Sequence, residues 1–125
     1  MIVILFQGCY TRLSQQQRDD DKYYFTSFDS SLVGTWVNQK SRNYSGYEVS
    51  KLHFKSDGQF ILEYNSDMPY SRNFYGKFGT KSDTLIIRFS ASYYNEKYIY
   101  TVDKQILKLN RIFRSSLPPY WIREH

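Results

Sequence analysis

Few residues in this 125-residue chain could do chemistry, since it has two histidines and one cysteine. His53 alternates with Lys51 and Lys55, and His125 is the last residue. Nucleophilic catalysis needs a base that a third group holds in place. Asp57, four residues after His53, is a weak candidate for that group because His53 is expected to face outward on a strand. The sequence has no Gly-rich phosphate loop and no dinucleotide motif. We therefore expect a protein that is not an enzyme.

The acidic and metal-binding residues lead to the same expectation. Glu48, Glu63 and Asp67 could pair for acid–base catalysis, but nothing in their spacing requires it. A single cysteine excludes an intramolecular disulfide framework, and together with two histidines it forms no zinc-binding pattern. The three aspartates at 19–21 lack the glycine and the distal glutamate of a calcium loop. The sequence therefore predicts no metal and no cofactor.

Cys9 draws attention because of what precedes it. Residues 1–6 are apolar and are followed by Gln7, Gly8 and Cys9, an order that resembles a bacterial lipoprotein signal. The resemblance implies that residues 1–9 are a truncated signal and that Cys9 is lipidated. The protein would then be anchored to the membrane in the bacterial cell envelope, facing the periplasm or the surface. Residues 10–31 would be a polar tether of roughly 25 Å. The alternative is an N-terminal strand with an incidental cysteine.

The chain carries a formal net charge of +5, with 17 Lys and Arg against 12 Asp and Glu. The basic residues are scattered at alternating positions, which is typical of the solvated outer faces of strands. Aromatic residues between basic ones could also bind single-stranded nucleic acid on a five-stranded oligonucleotide-binding barrel. The eight strands predicted below and the lipoprotein-type signal argue against that fold, so we expect no nucleic-acid partner.

The elements that position these residues are strands. From residue 32 onward, apolar and polar residues alternate with a period of two, and aromatic residues make up 19% of the chain. Turn sequences such as Ser56-Asp57-Gly58 separate the alternating stretches. The pattern predicts eight strands, at 32–37, 47–55, 59–64, 72–80, 84–90, 96–102, 105–112 and 120–123.

Eight strands joined mostly by short connections predict an all-β fold, an eight-stranded antiparallel up-and-down barrel over residues 32–125. A meander of this kind removes its exposed edges by closing on itself. An interior of this width is either filled by side chains or wide enough for one small ligand.

Four motifs in the same region resemble those of lipocalins and their calycin relatives. They are Leu32-x-Gly34-x-Trp36, Leu52-x-Phe54-x-x-Asp57-Gly58-x-Phe60, Gly76-x-Phe78 with Asp83-Thr84-Leu85, and Tyr100-x-Val102-Asp103 with Leu107-x-Leu109. The chain is most similar to the small bacterial lipocalin-like domains, which match its lack of a clear C-terminal helix and of disulfides. The resemblance implies that Trp36 closes one end of the barrel. It also implies that a basic residue packs over this tryptophan, either Arg123 or Arg111.

We expect a monomer that binds a small apolar or amphipathic ligand inside the barrel. Inward-facing side chains would line the cavity, namely Phe60, Leu62, Tyr64, Phe74, Phe78, Phe89, Tyr98 and Tyr100. Alternatively, the same large rings could fill the barrel. The protein would then be an interaction module whose loops contact another envelope protein or a glycan.

The direction of the strands predicts where a ligand enters. Consecutive strands alternate in direction, so the loops at 38–46, 65–71 and 92–95 open at one end. Tyr44, Tyr70 and Tyr94 would line this mouth, with Trp36 toward the other end, beside the turns at 56–58 and 81–83. The short turn at 103–104 is grouped with the turns at 56–58 and 81–83, but this requires counting one strand connection differently. A strict alternation of strand direction would place it at the end with the long loops.

Overall fold

A computed structural model describes residues 22–38, 48–65, 73–92, 94–113 and 115–124. Its strands are β1 (Gly34–Asn38), β2 (Glu48–Phe54), β3 (Gln59–Asn65), β4 (Asn73–Lys81), β5 (Thr84–Phe89), β6 (Glu96–Asp103), β7 (Ile106–Phe113) and β8 (Tyr120–Arg123). A short 3₁₀ turn (Ser30–Leu32) precedes β1. The eight predicted strands are confirmed, and their ends lie within two residues of the predicted ones.

Each strand pairs with the next in antiparallel orientation, and β8 pairs with β1. The closing pair places Trp36 opposite Arg123. The sheet is therefore a closed up-and-down barrel, and the predicted fold class is confirmed. Closure gives every strand two hydrogen-bonded neighbours, which removes the exposed edges of an open sheet.

The inward face of each strand supplies the core, as the alternation predicts. On β5, for example, Leu85 and Ile87 are fully buried. The largest fully buried side chains of the interior belong to six strands and are Trp36, Phe54, Phe60, Phe78, Tyr98 and Trp121. Aromatic rings contact one another there, with Phe54 4.9 Å from Phe78 between ring centroids.

The two ends of the barrel differ in their connections. Tight turns join β2 to β3, β4 to β5 and β6 to β7, and we call this the closed end. The connections from β1 to β2, β3 to β4, β5 to β6 and β7 to β8 are longer and lie at what we call the open end. The turn at Lys104 follows β6, so strict alternation places it at the closed end. The turn therefore lies with the other short turns, and the count that would place it on the long-loop side was wrong.

Residues 22–33, which we call the N-terminal segment, lie against the barrel. The carbonyl oxygen of Ser27 accepts a hydrogen bond from the Thr80 amide (3.1 Å), and the Asp29 amide donates to Thr80 Oγ1 (2.8 Å). The Phe28 ring packs on Phe78 with centroids 4.8 Å apart. The last part of the predicted tether is thus folded onto the barrel, while residues 10–21 lie outside the described residues.

The N-terminal segment also covers part of the outer wall. The Phe25 ring lies under the guanidinium of Arg88 (5.4 Å) and the ammonium of Lys77 (4.7 Å). Gly79 permits this approach, because a Cβ there would overlap the carbonyl oxygen of Tyr24. Arg88 is consequently only 7% exposed, whereas the sequence predicted a solvated outer face at this position. That expectation was wrong because covering aromatic residues come from a distant part of the chain.

Candidate functional site

The closed end of the barrel is packed with side chains. Trp36 is fully buried, and its indole N–H donates to the Leu32 carbonyl (2.9 Å). The guanidinium of Arg123, rather than that of Arg111, lies over the Trp36 ring at 4.2 Å. Gly34 makes room for this arginine, since its φ is +137° and a Cβ would lie 2.9 Å from Arg123 Nη1. This end has the arrangement that the lipocalin resemblance implies for Trp36 and Arg123.

Tyr100 also belongs to the closed end. Its hydroxyl donates to Asp29 Oδ2 (2.9 Å), while Asp29 Oδ1 accepts from the Ser31 amide (2.9 Å) and hydroxyl (2.8 Å). Burial raises the pKa of Asp29, but the hydrogen bonds from Ser31 and Tyr100 outweigh it and hold that pKa below its usual value. Burial and the Asp29 carboxylate raise the pKa of Tyr100 to about 12. The hydrogen bond from the Tyr100 hydroxyl to Asp29 therefore holds the N-terminal segment against the barrel.

The open end contains a cavity of about 370 Å³. We call it the mouth cavity, and the side chains that line it are Leu62, Phe74, Phe89, Ala91, Ser92, Tyr94, Glu96 and Ser116. They come from β3, β4, β5 and β6 and from the connections that precede β6 and β8. Its volume lies at the lower end of the range for small-molecule sites, about 300–1,000 Å³. The mouth cavity is the candidate functional site.

Glu96 is the acidic side chain of this cavity, and it is only 5% exposed. Its Oε1 accepts hydrogen bonds from the Tyr98 hydroxyl (2.5 Å), the Ser116 hydroxyl (2.8 Å) and the Ser116 amide (3.1 Å). The Tyr98 hydroxyl in turn accepts from the amides of Ser116 and Leu117, both at 3.1 Å. Burial, together with the Glu96 carboxylate, raises the pKa of Tyr98 far above its usual value. Tyr98 therefore stays neutral, and its hydroxyl donates a hydrogen bond to Glu96.

Two neighbouring elements position this network. Glu96 and Tyr98 are two residues apart on β6, so both face the interior. The connection from β7 to β8 then folds over the start of β6, where Ser115 Oγ donates to the Lys97 carbonyl (2.8 Å). Its other end is held by Pro119, whose carbonyl accepts from the Leu109 amide (2.8 Å). Ser116 is thus fixed beside the carboxylate by hydrogen bonds that neighbouring residues make on both sides.

The residues predicted to bind a ligand fall into three groups. Four of them line the mouth cavity, namely Leu62, Phe74, Phe89 and Tyr94. Four others lie in the buried core, namely Phe60, Phe78, Tyr98 and Tyr100. The rest lie outside the described residues or have side chains outside them, namely Tyr44, Tyr70 and Tyr64, as does the predicted lipidation residue Cys9. The ligand-binding role of all these residues stays a prediction.

Three polar residues of the mouth cavity were not named as site residues from the sequence, Ser92, Glu96 and Ser116. A signal for Glu96 was present, because it precedes Tyr98 and Tyr100 by two and four residues and so shares their inward face. No comparable signal exists for Ser116, which lies in an irregular connection whose path depends on contacts with β6 and β7.

His53 lies on the outer wall, as expected, but its partners are not those considered from the sequence. Its Nδ1 is 3.0 Å from Thr35 Oγ1, and its Nε2 is 2.9 Å from Glu63 Oε2. These three side chains come from adjacent strands and are partly exposed to solvent. The hydroxyl, imidazole and carboxylate form a chain that could move a proton. It stands outside the barrel, apart from the mouth cavity.

Two further searches of the described residues give negative findings. They contain no group of three or more His, Cys, Asp or Glu side chains that could hold a metal ion. Within the same ranges, no helix has the length and apolar character needed to cross a membrane.

Comparison of the chain with protein-family models, with curated proteins and with solved structures finds no match.

Proposed function

We propose that this protein binds one small apolar or amphipathic ligand in the mouth cavity of its barrel and is not an enzyme. The observation that carries the proposal is the difference between the two ends of the interior. The closed end is packed by Trp36, Phe54 and Phe78, whereas the open end has a cavity of about 370 Å³.

The lining of the cavity fits an amphipathic ligand. Phe74 and Tyr94 are 40% and 42% exposed, so their rings give a ligand apolar surface to cover. Glu96 and Ser116 add polar atoms beside these rings. Sites for small molecules combine apolar walls with a few fixed polar groups in the same way.

The experiment uses N-phenyl-1-naphthylamine, a neutral probe whose fluorescence rises in apolar surroundings. We expect saturable binding to the wild-type protein. Ala91→Trp places a large ring in the lining of the mouth cavity at an exposed turn position and should abolish binding. Ser56→Trp is the matched control, because Ser56 is exposed in a turn at the closed end and should leave binding unchanged.

Two results would contradict the proposal. The first is a wild-type protein that does not raise the fluorescence of the probe in a saturable way. The second is equal binding of the probe by Ala91→Trp and Ser56→Trp. Either result would favour the alternative, in which the barrel is a scaffold and its loops contact another envelope protein or a glycan.

We also propose that the protein is a lipocalin-like domain of the bacterial cell envelope, monomeric and anchored through lipid on Cys9. The closed eight-stranded barrel and the Arg123–Trp36 contact support the lipocalin-like part. The order Gly8-Cys9 after an apolar run supports the anchor. Expressed in a lipoprotein-processing bacterium from an upstream start, the protein should fractionate with membranes, and Cys9→Ser should release it. Equal fractionation of both proteins would overturn the anchor.

A further inference from the structure

The side chain of Glu96 is a buried acid without a basic partner among the described residues. Its three hydrogen bonds come from neutral groups, the Tyr98 hydroxyl and the amide and hydroxyl of Ser116. Because the Ser116 amide can only donate, Oε1 acts as an acceptor. A carboxylate removed from water is costly unless a positive charge or enough donors compensate it.

Among the described residues, the basic side chains nearest to Glu96 have other partners. Arg111 lies opposite Tyr98 in the β6–β7 register, and its Nε donates to the Leu117 carbonyl (3.1 Å). Lys97 follows Glu96 on the outward face of β6, and its ammonium lies over the Tyr24 ring (4.9 Å). All three hydrogen bonds to Glu96 in the described part of the chain end on Oε1, which leaves Oε2 for a donor from the cavity.

Aromatic rings line the same cavity as this carboxylate. Phe74, Phe89 and Tyr94 all contribute to its wall. The face of an aromatic ring attracts cations, and the attraction grows when water is excluded. A carboxylate beside aromatic walls is suited to an organic cation, whose charge meets the carboxylate while its apolar part covers the rings.

The described basic side chains on the outer wall do not reverse this preference. Lys51, Lys77, Lys97 and Lys108 lie there, where salt screens their effect within about 10 Å. An anionic ligand would have to place its charge near a carboxylate that is 5% exposed. The buried group decides which ligand is accepted, because buried charges are screened far less than exposed ones.

We propose that the ligand of the mouth cavity is an amphipathic cation, an organic amine or ammonium with an apolar body, and that Glu96 is its charge-recognition residue. This inference rests on the proposed function, since it needs the cavity to be a binding site. It adds the sign of the ligand's charge and the residue that recognises it.

The test compares three probes of similar shape that differ in charge: 2-phenylethylamine, 2-phenylethanol and 3-phenylpropanoate. Each competes with N-phenyl-1-naphthylamine for the wild-type protein. We expect the amine to displace the probe at a concentration at least about tenfold lower than the alcohol, and the carboxylate to be weakest. Glu96→Gln should bring the amine to within about twofold of the alcohol while probe binding persists. Glu63→Gln, which removes an acid on the outer wall, should keep the preference.

A measurement on the wild-type protein covers the case in which Glu96→Gln does not fold. In ¹H–¹⁵N NMR spectra, 2-phenylethylamine should shift the amide signals of Ser116 and Leu117, which donate into the Glu96–Tyr98 network. The amide of Gly58 at the closed end should not shift. The signals of Ser116 and Leu117 should respond less to the alcohol than to the amine.

The outcomes separate the two proposals. If N-phenyl-1-naphthylamine does not bind, the proposed function fails. If the probe binds but the three competitors are equal, or the carboxylate is strongest, the cavity is a site and the inference about the cation is overturned. Full preference for the amine in Glu96→Gln, or unchanged Ser116 and Leu117 signals, overturns the role of Glu96.

Discussion

The guanidinium of Arg123 lies 4.2 Å from the ring of Trp36, on the two strands whose pairing closes the barrel. The same guanidinium donates from Nη1 to the Val33 carbonyl (3.0 Å) and from Nη2 to the Ser31 carbonyl (2.7 Å). One side chain of β8 therefore joins β1 and the N-terminal segment. Because it fixes the seam of the barrel, it is the natural first target for mutagenesis.

Arg123→Met should lower the free energy of unfolding by about 2–4 kcal/mol. The variant keeps most of the apolar contact with Trp36 but loses two charged hydrogen bonds and the cation–π attraction. Urea unfolding would measure the change. Lys108→Met is the control, since Lys108 lies over the Tyr120 ring at 5.8 Å but is exposed, and it should change the stability by less than about 0.5 kcal/mol. Equal losses would mean that the Arg123 contacts add nothing.

Trp36→Ala should lower the free energy of unfolding by about 3–5 kcal/mol, the range for emptying a buried site of a large aromatic side chain. Trp36 is fully buried and its indole also donates to the Leu32 carbonyl. Tyr75→Ala, at a position on β4 that is 57% exposed, should cost far less. A loss below about 1 kcal/mol for Trp36→Ala would contradict the packed closed end.

Gly79→Ala should detach the N-terminal segment from β4, because the added Cβ would overlap the Tyr24 carbonyl oxygen. The Thr80 amide, which donates to the Ser27 carbonyl, should then exchange its hydrogen with solvent faster. The Tyr100 amide donates to the Asp83 carbonyl within the barrel and should keep its protection. Hydrogen exchange followed by NMR would measure both, and an unchanged rate at Thr80 would show that the contact is loose.

Asp29→Asn should remove part of the acid sensitivity of the fold. The pKa of Asp29 is lowered in the folded protein, so its contribution to stability is present above the ordinary value of 3.8 and is lost as the pH falls through the lowered value. The stability difference between wild type and variant should therefore shrink in acid. Urea unfolding across this range would measure it.

Tyr100→Phe serves as the comparison in the same experiment, because it removes one donor to Asp29 and should weaken the acid dependence only in part. A difference between wild type and Asp29→Asn that stays constant from neutral to acid pH would contradict the assigned role of the carboxylate.

The strands could be predicted because their signals are local. Alternation places Leu85 and Ile87 inward, and turn residues such as Gly58, with a φ of +90°, mark where the chain reverses. Pairing of successive strands then follows from the short connections, and closure follows from the need to cover the edges. The lining residues Leu62, Phe74 and Phe89 could be named in advance for the same reason.

The remaining features depend on contacts between distant parts of the chain. Phe25 and Phe28 stand among polar residues, and nothing near them in sequence indicates that they cover Arg88 and Phe78. The packing of the closed end and the cavity at the open end were equally hidden. Phe60 and Phe89 lie on inward faces alike, yet only Phe89 borders the cavity, because the depth of a residue depends on the register of all eight strands.

The path of the N-terminal segment has a consequence for how the molecule is displayed. The described chain starts at Lys22, and the Tyr23 ring lies 4.6 Å from the ammonium of Lys81 at the β4–β5 turn. An attachment through the residues before Lys22 would therefore hold the protein near its closed end. The open end would then face away from the attachment point, toward molecules that approach from solution.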